Sequence, residues 1–340
     1  MGRDKPDNYW GGKPDRVTMK GALGVGLACL VLVVALSSSG CSTPGPAGAV
    51  PEVTTPAELA GFVTHAAEYA RSVGREAAIA TFSQRTGPFS RGDLYIYAYD
   101  NNGTLLAHPY QEEAVGTNRL NWTDSRGLPV IRIGAHVAAH GGGFIAYLYP
   151  APNLGPINES HRETYVPKIG YVCPAGGDLW VGSGLYFSDL AGMGPRGMPP
   201  AVEKMTDLVR QGAEFGRSHE DGEAFAAISN ASGMFVDGEG HYLYAYDYNG
   251  TLRAHPHLRE AIGTNLMARK DPFGMENIRA LVETATSGGG FIVFVWPNPA
   301  RGNRDELKIG YVLPVNDRWW VGSGVYLSEI TGVDTSFPPP

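Results

Sequence analysis

Tyr97-Ala98-Tyr99-Asp100 and Ala107-His108-Pro109 return 147 residues later as Tyr244-Ala245-Tyr246-Asp247 and Ala254-His255-Pro256. Within the first stretch, Tyr95, Tyr97 and Tyr99 alternate with Leu94, Ile96 and Ala98, the two-residue period of a β-strand over Leu94 to Asp100. Asn102-Gly103 follows as a favoured two-residue hairpin turn, and Thr104 to Ala107 reads as the returning strand. A hairpin that occurs twice in one chain announces a duplicated unit.

Working outward, the offset of 147 also relates Gly116-Thr117-Asn118 to Gly263-Thr264-Asn265, and Gly141-Gly142-Gly143-Phe144-Ile145 to Gly288-Gly289-Gly290-Phe291-Ile292. It then drops to 140, pairing Lys168-Ile169-Gly170-Tyr171-Val172 with Lys308-Ile309-Gly310-Tyr311-Val312, and Trp180-Val181-Gly182-Ser183-Gly184 with Trp320-Val321-Gly322-Ser323-Gly324. The change fits a loop insertion in the Pro/Asn/Gly-rich stretch 150–164 of the first copy, where insertion is tolerated. Ahead of each hairpin lies a helical pattern. In the first copy Thr55 is placed to N-cap it, with Pro56 at the first position and Glu58 closing a capping box. Leu59, Phe62, Val63, Ala66, Ala70 and Val73 form its apolar face, matched in the second copy by Val202, Met205, Leu208, Val209, Gly212 and Phe215. After the triglycine come three strands, Phe144 to Tyr149, Tyr165 to Cys173 and Leu179 to Phe187. Each copy therefore reads as a long N-terminal helix on an antiparallel sheet of about five strands, an α+β design.

The 340 residues leave room for two such domains, and 43% hydrophobic content supplies each with a core. The net charge is -7, and residues 1–40 hold five Lys or Arg against three Asp or Glu, so the body after Cys41 is more acidic still. Nucleic acid is excluded as a natural partner. Three cysteines, Cys29, Cys41 and Cys173, allow no disulfide framework and no paired metal-ligand spacing.

Gly21 to Leu36 is apolar or small, follows Lys20, and runs into Ser37-Ser38-Ser39-Gly40-Cys41. That is the layout of a signal peptide over residues 1–40, for which Met19 makes a more typical start than Met1. Small residues before Cys41 resemble a lipobox, in which the cysteine bears the lipid of a mature lipoprotein; Ser38 stands where such a box usually has leucine. An uncleaved anchor helix is the alternative, and both readings attach the body to the outer face of the cell membrane. Residues 41–55 form a Pro/Gly/Thr-rich tether.

The order helix, Y-x-Y-D-x-x-G-T-x-x-A-H-P, G-T-N, G-G-G-F, K-I-G-Y-V and W-V-G-S-G-x-Y, present twice, resembles single-Cache extracellular sensor domains over residues 56–190 and 200–332. The resemblance implies PAS-like sheets that enclose a small ligand, often a short organic acid, on a protein outside the membrane. Such domains usually sit on chemoreceptors and sensor kinases. No transmembrane helix, HAMP, kinase or methyl-accepting segment follows the second copy before Pro340, so signal output is expected to pass through a separate transmembrane protein.

Candidate ligand contacts follow from strand faces and turns. Tyr97, Tyr99, Tyr147 and Tyr149, with Tyr244, Tyr246, Phe294 and Trp296 in the second copy, offer aromatic walls with hydroxyl tips at most positions. His108 and His255 sit before proline where the chain turns away, placed to meet a carboxylate. Lys168 and Lys308 begin the K-I-G-Y-V strands and supply a fixed cation for an anionic ligand, while Tyr171 and Tyr311 point to the opposite face. Asp100 and Asp247 read as turn formers, Trp180 and Trp320 as core, and Cys173, whose counterpart is Leu313, as packing. The triglycine runs lack phosphate-cradle spacing, Gly182-Ser183-Gly184 is no nucleophile elbow, and no H-E-x-x-H or other compact metal cluster stands out. The sequence thus points to a ligand-binding sensor or capture lipoprotein without catalysis, cofactor or metal. The alternative is a surface interaction module with vestigial pockets. Because Tyr147 becomes Phe294 and Tyr149 becomes Trp296, the two pockets are expected to differ.

Overall fold

The structure, a computed structural model, describes residues 52–150 and 164–338; the export segment, Cys41 and the inserted loop lie outside the described residues. Helix α1 spans Pro56–Val73 and begins with the expected box: the Thr55 hydroxyl accepts from the Glu58 amide at 3.2 Å while a Glu58 carboxylate oxygen accepts from the Thr55 amide at 3.0 Å. Leu59, Phe62, Val63, Ala66 and Ala70 are buried as read, but Val73 is 41% exposed because the helix stops there, at Gly74 with φ 87°. A second helix not foreseen from the sequence, α2 (Arg75–Phe82), leaves from that glycine and buries Ala78 and Phe82.

The expected strand Leu94 to Asp100 is broken. β1 (Ser90–Arg91) pairs with β2 (Leu94–Tyr95), Ile96 bonds through its amide to the Phe89 carbonyl, and only β3 (Tyr97–Asp100) joins the main sheet. The hairpin to β4 (Leu105–Ala107) turns through Asn101-Asn102-Gly103, three residues rather than two. Gly103 takes φ 82°, a bulge follows between Ala98 and Tyr99, and Asp100 caps the turn by accepting the Thr104 amide at 2.7 Å. Helix α3 (Val130–Ala139) then precedes β5 (Gly143–Tyr149), β6 (Val166–Gly176) and β7 (Leu179–Tyr186). The sheet order is β4-β3-β7-β6-β5, antiparallel throughout.

The second copy repeats this with α4 (Pro200–Ser218), α5 (Asp221–Ile228), β8 (Tyr244–Asp247), β9 (Leu252–Ala254), α6 (Asn277–Thr286), β10 (Gly290–Asn298), β11 (Arg304–Pro314) and β12 (Trp319–Tyr326), closing with α7 (Leu327–Thr331). Its sheet order, β10-β11-β12-β8-β9, is the same one. Both domains are α+β with a long N-terminal helix on a five-stranded antiparallel sheet. α1 and α4 cover one face of their sheets. Small residues let α4 approach closely: a Cβ on Gly212 or Gly216 would meet Leu243 at 2.2 Å or Trp319 at 2.6 Å. α3 and α6 cover the other face, with Gly134 set against the Trp180 ring. Among the described residues no helix is long and apolar enough to cross a membrane.

Candidate functional site

The glycines of the two strand motifs shape a hollow on the α3 and α6 faces. In β6 and β7, Gly170 lies opposite Gly184, and Gly182 opposite Tyr97, so all three share one side of the sheet. Long side chains lie flat in the space they leave. A Cβ on Gly182 would stand 2.5 Å from the Tyr97 hydroxyl, one on Gly170 3.1 Å from the Tyr147 ring, and one on Gly184 3.0 Å from Lys168 Cε. The second copy repeats the relation, with Gly322 under Tyr244, Gly310 under Phe294 and Gly324 beside Lys308. K-I-G-Y-V and W-V-G-S-G are therefore motifs of close approach.

Over the first floor lies a cavity of about 410 Å³ whose lining includes Tyr95, Tyr97, Tyr99, His108, Tyr147, Tyr149 and Arg119. The His108 Nδ1 accepts the Tyr110 amide at 3.1 Å, so the ring proton sits on Nε2. Burial, helped by the charges of Arg119 and Lys168, drives the imidazole down to about 3, and it is neutral at physiological pH. Lys168 is 2% exposed. Its ammonium lies over three ring faces, Tyr186 at 4.4 Å, Tyr149 at 5.2 Å and Tyr95 at 5.4 Å. Desolvation lowers it to about 8, against the opposing pull of Asp93 and Asp189. Tyr186 is pinned by donating to the Pro150 carbonyl at 2.6 Å.

The hydroxyls of this cavity neighbour one another and a loop. Gln111 donates to the Tyr149 hydroxyl at 2.7 Å and Arg119 donates to the Gln111 amide oxygen at 2.6 Å, while Tyr147 neighbours Tyr97, Tyr149 neighbours Tyr95 and the Arg119 charge acts on Tyr99. Burial is the first reason that Tyr95, Tyr97, Tyr99, Tyr147 and Tyr149 all have raised pKa values. They are hydrogen-bonding phenols, not bases.

The second cavity, about 300 Å³, is lined by Tyr242, Tyr244, Tyr246, His255, Ile278, Leu281, Phe294, Trp296 and Lys308. His255 repeats His108: its Nδ1 accepts the His257 and Leu258 amides at 3.0 Å each, and burial with the Lys308 charge lowers it to about 3. Lys308, 3% exposed, lies over Tyr326 at 4.5 Å and Tyr242 at 5.1 Å. Tyr326 is pinned as Tyr186 is, donating to the Pro297 carbonyl at 2.6 Å.

The twelve candidate contacts named from the sequence fall into these two places. Six line the second cavity, five line the first, and Lys168 stands behind Tyr149 and Tyr95 with its charge toward their rings. Tyr171 and Tyr311 are partly buried beside Phe144 and Phe291, on the opposite face by strand alternation. Trp180 and Trp320 are buried beneath the sites, stacked on Tyr99 at 5.0 Å and Tyr246 at 5.3 Å, and Cys173 is a buried free thiol. Sequence reasoning missed Tyr95 and Tyr242, which the tyrosine alternation already contained. It also missed Gln111, Arg119, Trp122 and Arg269, which come from irregular loops. Asp237, Glu239 and His241 bring ligand-type atoms within 4.8 Å of one another, a grouping the spacing search passed over. There the His241 nitrogens are engaged by Asp237 and Glu329 at 2.7 Å each.

Residues 69–193 and 201–337 each match the family model of the Single Cache domain 2. The chain belongs to this family. A 106-residue stretch is 34% identical to the sensor histidine kinase MctS of Rhizobium johnstonii, covering 31% of this chain and 22% of the kinase. Among solved structures, a methyl-accepting chemotaxis protein of Vibrio parahaemolyticus is 25% identical, with a TM-score of 0.33 over 38% of this chain and 87% of its own. The ligand-binding domain of the Pseudomonas fluorescens chemoreceptor CtaA is 12% identical, with a TM-score of 0.25 over 83% of this chain and 92% of its own. The two halves are tandem Cache domains.

Proposed function

We propose that this protein is an exported, membrane-tethered sensor or capture protein whose Cache domains, residues 56–190 and 200–332, each take a small organic acid. The buried lysines carry this reading. A cation removed from water is costly unless something compensates it, and tyrosine ring faces compensate only part of the cost. Among the described residues neither Lys168 nor Lys308 forms an ion pair with a carboxylate. In the second cavity a carboxylate entering beside Lys308 supplies the missing charge, and in the first it acts on Lys168 across the Tyr149 and Tyr95 rings, with the neutral His108 or His255 and the tyrosine hydroxyls as further donors.

The signal-peptide layout of residues 1–40 and the small residues before Cys41 support delivery across the membrane and tethering there by a lipid. A separate membrane protein then reads the bound state. Thermal melting of the full chain against a panel of short carboxylates, amino acids and amines tests the binding reading. Short carboxylates are expected to raise the melting temperature, and Lys168→Met combined with Lys308→Met to abolish the rise. A silent panel, together with a stable protein partner in pull-down, would replace this reading with that of an interaction module.

A further inference from the structure

The two cavities treat one hydroxyl differently. In the first, the Tyr97 and Tyr147 hydroxyls are neighbours, and neither is left buried without a partner. In the second the aligned pair is Tyr244 and Phe294, and the Tyr244 hydroxyl has no hydrogen-bond partner among the described residues, although the side chain is only 6% exposed and lines the cavity. An unpaired hydroxyl in such a place carries an uncompensated desolvation cost, which a bound polar atom removes.

The position of the lost hydroxyl tells what that atom is. In the first copy the Tyr147 oxygen and Lys168 Cε lie 3.1 and 3.0 Å from the point where a Cβ on Gly184 would sit. In the second copy Lys308 Cε lies 2.9 Å from the corresponding point on Gly324, while Phe294 brings no oxygen there. With Phe294 in place of a tyrosine, the Tyr244 phenol and Lys308 are left as polar groups of one cavity lining. What remains of the lining, Ile278, Leu281, Phe294 and Trp296, is mostly apolar. The first cavity keeps its tyrosine pair in that place and adds Gln111 and Arg119 on the loop side.

We infer that the cavities divide their ligands. The second takes a small aliphatic monocarboxylate whose oxygen accepts from Tyr244 and faces Lys308, its tail against Ile278, Leu281 and Trp296. The first takes an acid with a second polar group that meets Gln111 and Arg119. Position 147/294 decides which. This rests on the reading that both cavities bind small organic acids.

Isothermal titration of the full chain with propionate and with L-malate tests it. Propionate is expected to bind once per chain, at a site that survives Lys168→Met and disappears in Lys308→Met; L-malate is expected to show the reverse. Tyr244→Phe, which removes one oxygen from a buried ring, weakens propionate about tenfold or more, the effect of losing one hydrogen bond to a charged group. Phe294→Tyr returns the internal partner and weakens propionate likewise, and Tyr147→Phe in the first copy creates a second propionate site. Melting in the absence of ligand confirms that each variant folds. If propionate binding follows Lys168 instead, ignores Tyr244→Phe, or is absent while other acids bind, the division is wrong and acid binding stands. If no acid binds the wild-type chain, the reading of both cavities as acid sites falls with it.

Discussion

In the first cavity the loop cation is Arg119, lying 5.2 Å above the Trp122 ring, and it reaches Gln111 and Tyr99. At the aligned positions of the second copy stand Leu266 and Arg269, so the arginine has moved to where the first copy holds its tryptophan. Arg269 now lies 4.0 Å above Trp296, itself the counterpart of Tyr149, and bonds to the buried Asn277 at 3.3 Å. Each copy thus keeps one arginine and one tryptophan at the mouth, the arginine on the loop in both and the tryptophan on the loop in the first copy and on the strand in the second. The glycine floor, the lysine under its tyrosine rings, the pinned Tyr186 or Tyr326 and the neutral histidine are the same in both. What positions a ligand is repeated, and what touches the rest of it differs.

The floor gives the largest test of that division. Both Gly182→Ala and Gly322→Ala drive a methyl group into a buried tyrosine ring, and each should destabilise by about 1–3 kcal/mol. The first should cost more. The Cβ would come within 2.7 Å of three Tyr97 atoms, whereas in the second copy its nearest Tyr244 atom is 2.8 Å away. Chemical denaturation of the two variants compares them directly; equal or negligible losses would show that the rings shift freely and that the floor does not position them.

This floor was legible only in part. The repeats named the glycines, the lysines and the aromatic strands, because period-two alternation places Tyr97 and Tyr99 on one face without any coordinates. The long helix was equally legible, since Thr55, Pro56 and Glu58 state its start and Leu59, Phe62, Val63 and Ala66 its buried side. What escaped depends on register or on irregular backbone. That Gly182 faces Tyr97 follows from cross-strand pairing between segments more than 80 residues apart, and that Tyr186 covers Lys168 from the register of two neighbouring strands. Arg119 and Arg269 leave loops without periodicity. α2 was hidden because its eight residues follow a single glycine and resemble a continuation of α1.

A smaller effect, but one of opposite sign in the two copies, is expected from removing a single hydroxyl. Tyr97→Phe removes the hydroxyl that neighbours Tyr147 and leaves that second oxygen less compensated in the core, costing about 1 kcal/mol in the ligand-free protein. Tyr244→Phe removes an oxygen that has no partner among the described residues and should gain about 1 kcal/mol. The same chemical change therefore lowers the melting temperature in one copy and raises it in the other. Two shifts of the same sign would mean that the Tyr147 and Phe294 exchange does not set the polarity of the cavities.

The smallest expected effect belongs to a residue the first copy lacks. His241, aligned with Leu94, is 4% exposed and holds Asp237 with one nitrogen and Glu329 with the other. Glu329 in turn caps α7 by accepting the Tyr326 amide at 2.6 Å, and Tyr326 covers Lys308. Burial lowers the histidine pKa, but the two carboxylates outweigh it and raise the net value. The folded state therefore binds this proton more tightly than the unfolded chain does. Its contribution is fully present below the unfolded value of about 6.5 and is lost as pH rises through the higher folded one. His108 and His255, held near 3, act in the other direction below about 6.5, but they are common to the wild type and to His241→Leu and cancel in the difference. The stability advantage of the wild type over His241→Leu should thus be larger at pH 5.5 than at pH 8.5, by about 0.5–1 kcal/mol given carboxylates that remain partly exposed. Denaturation curves that keep a constant separation over this range would show that the proton on His241 does not hold α7, and through it the cover of Lys308, in place.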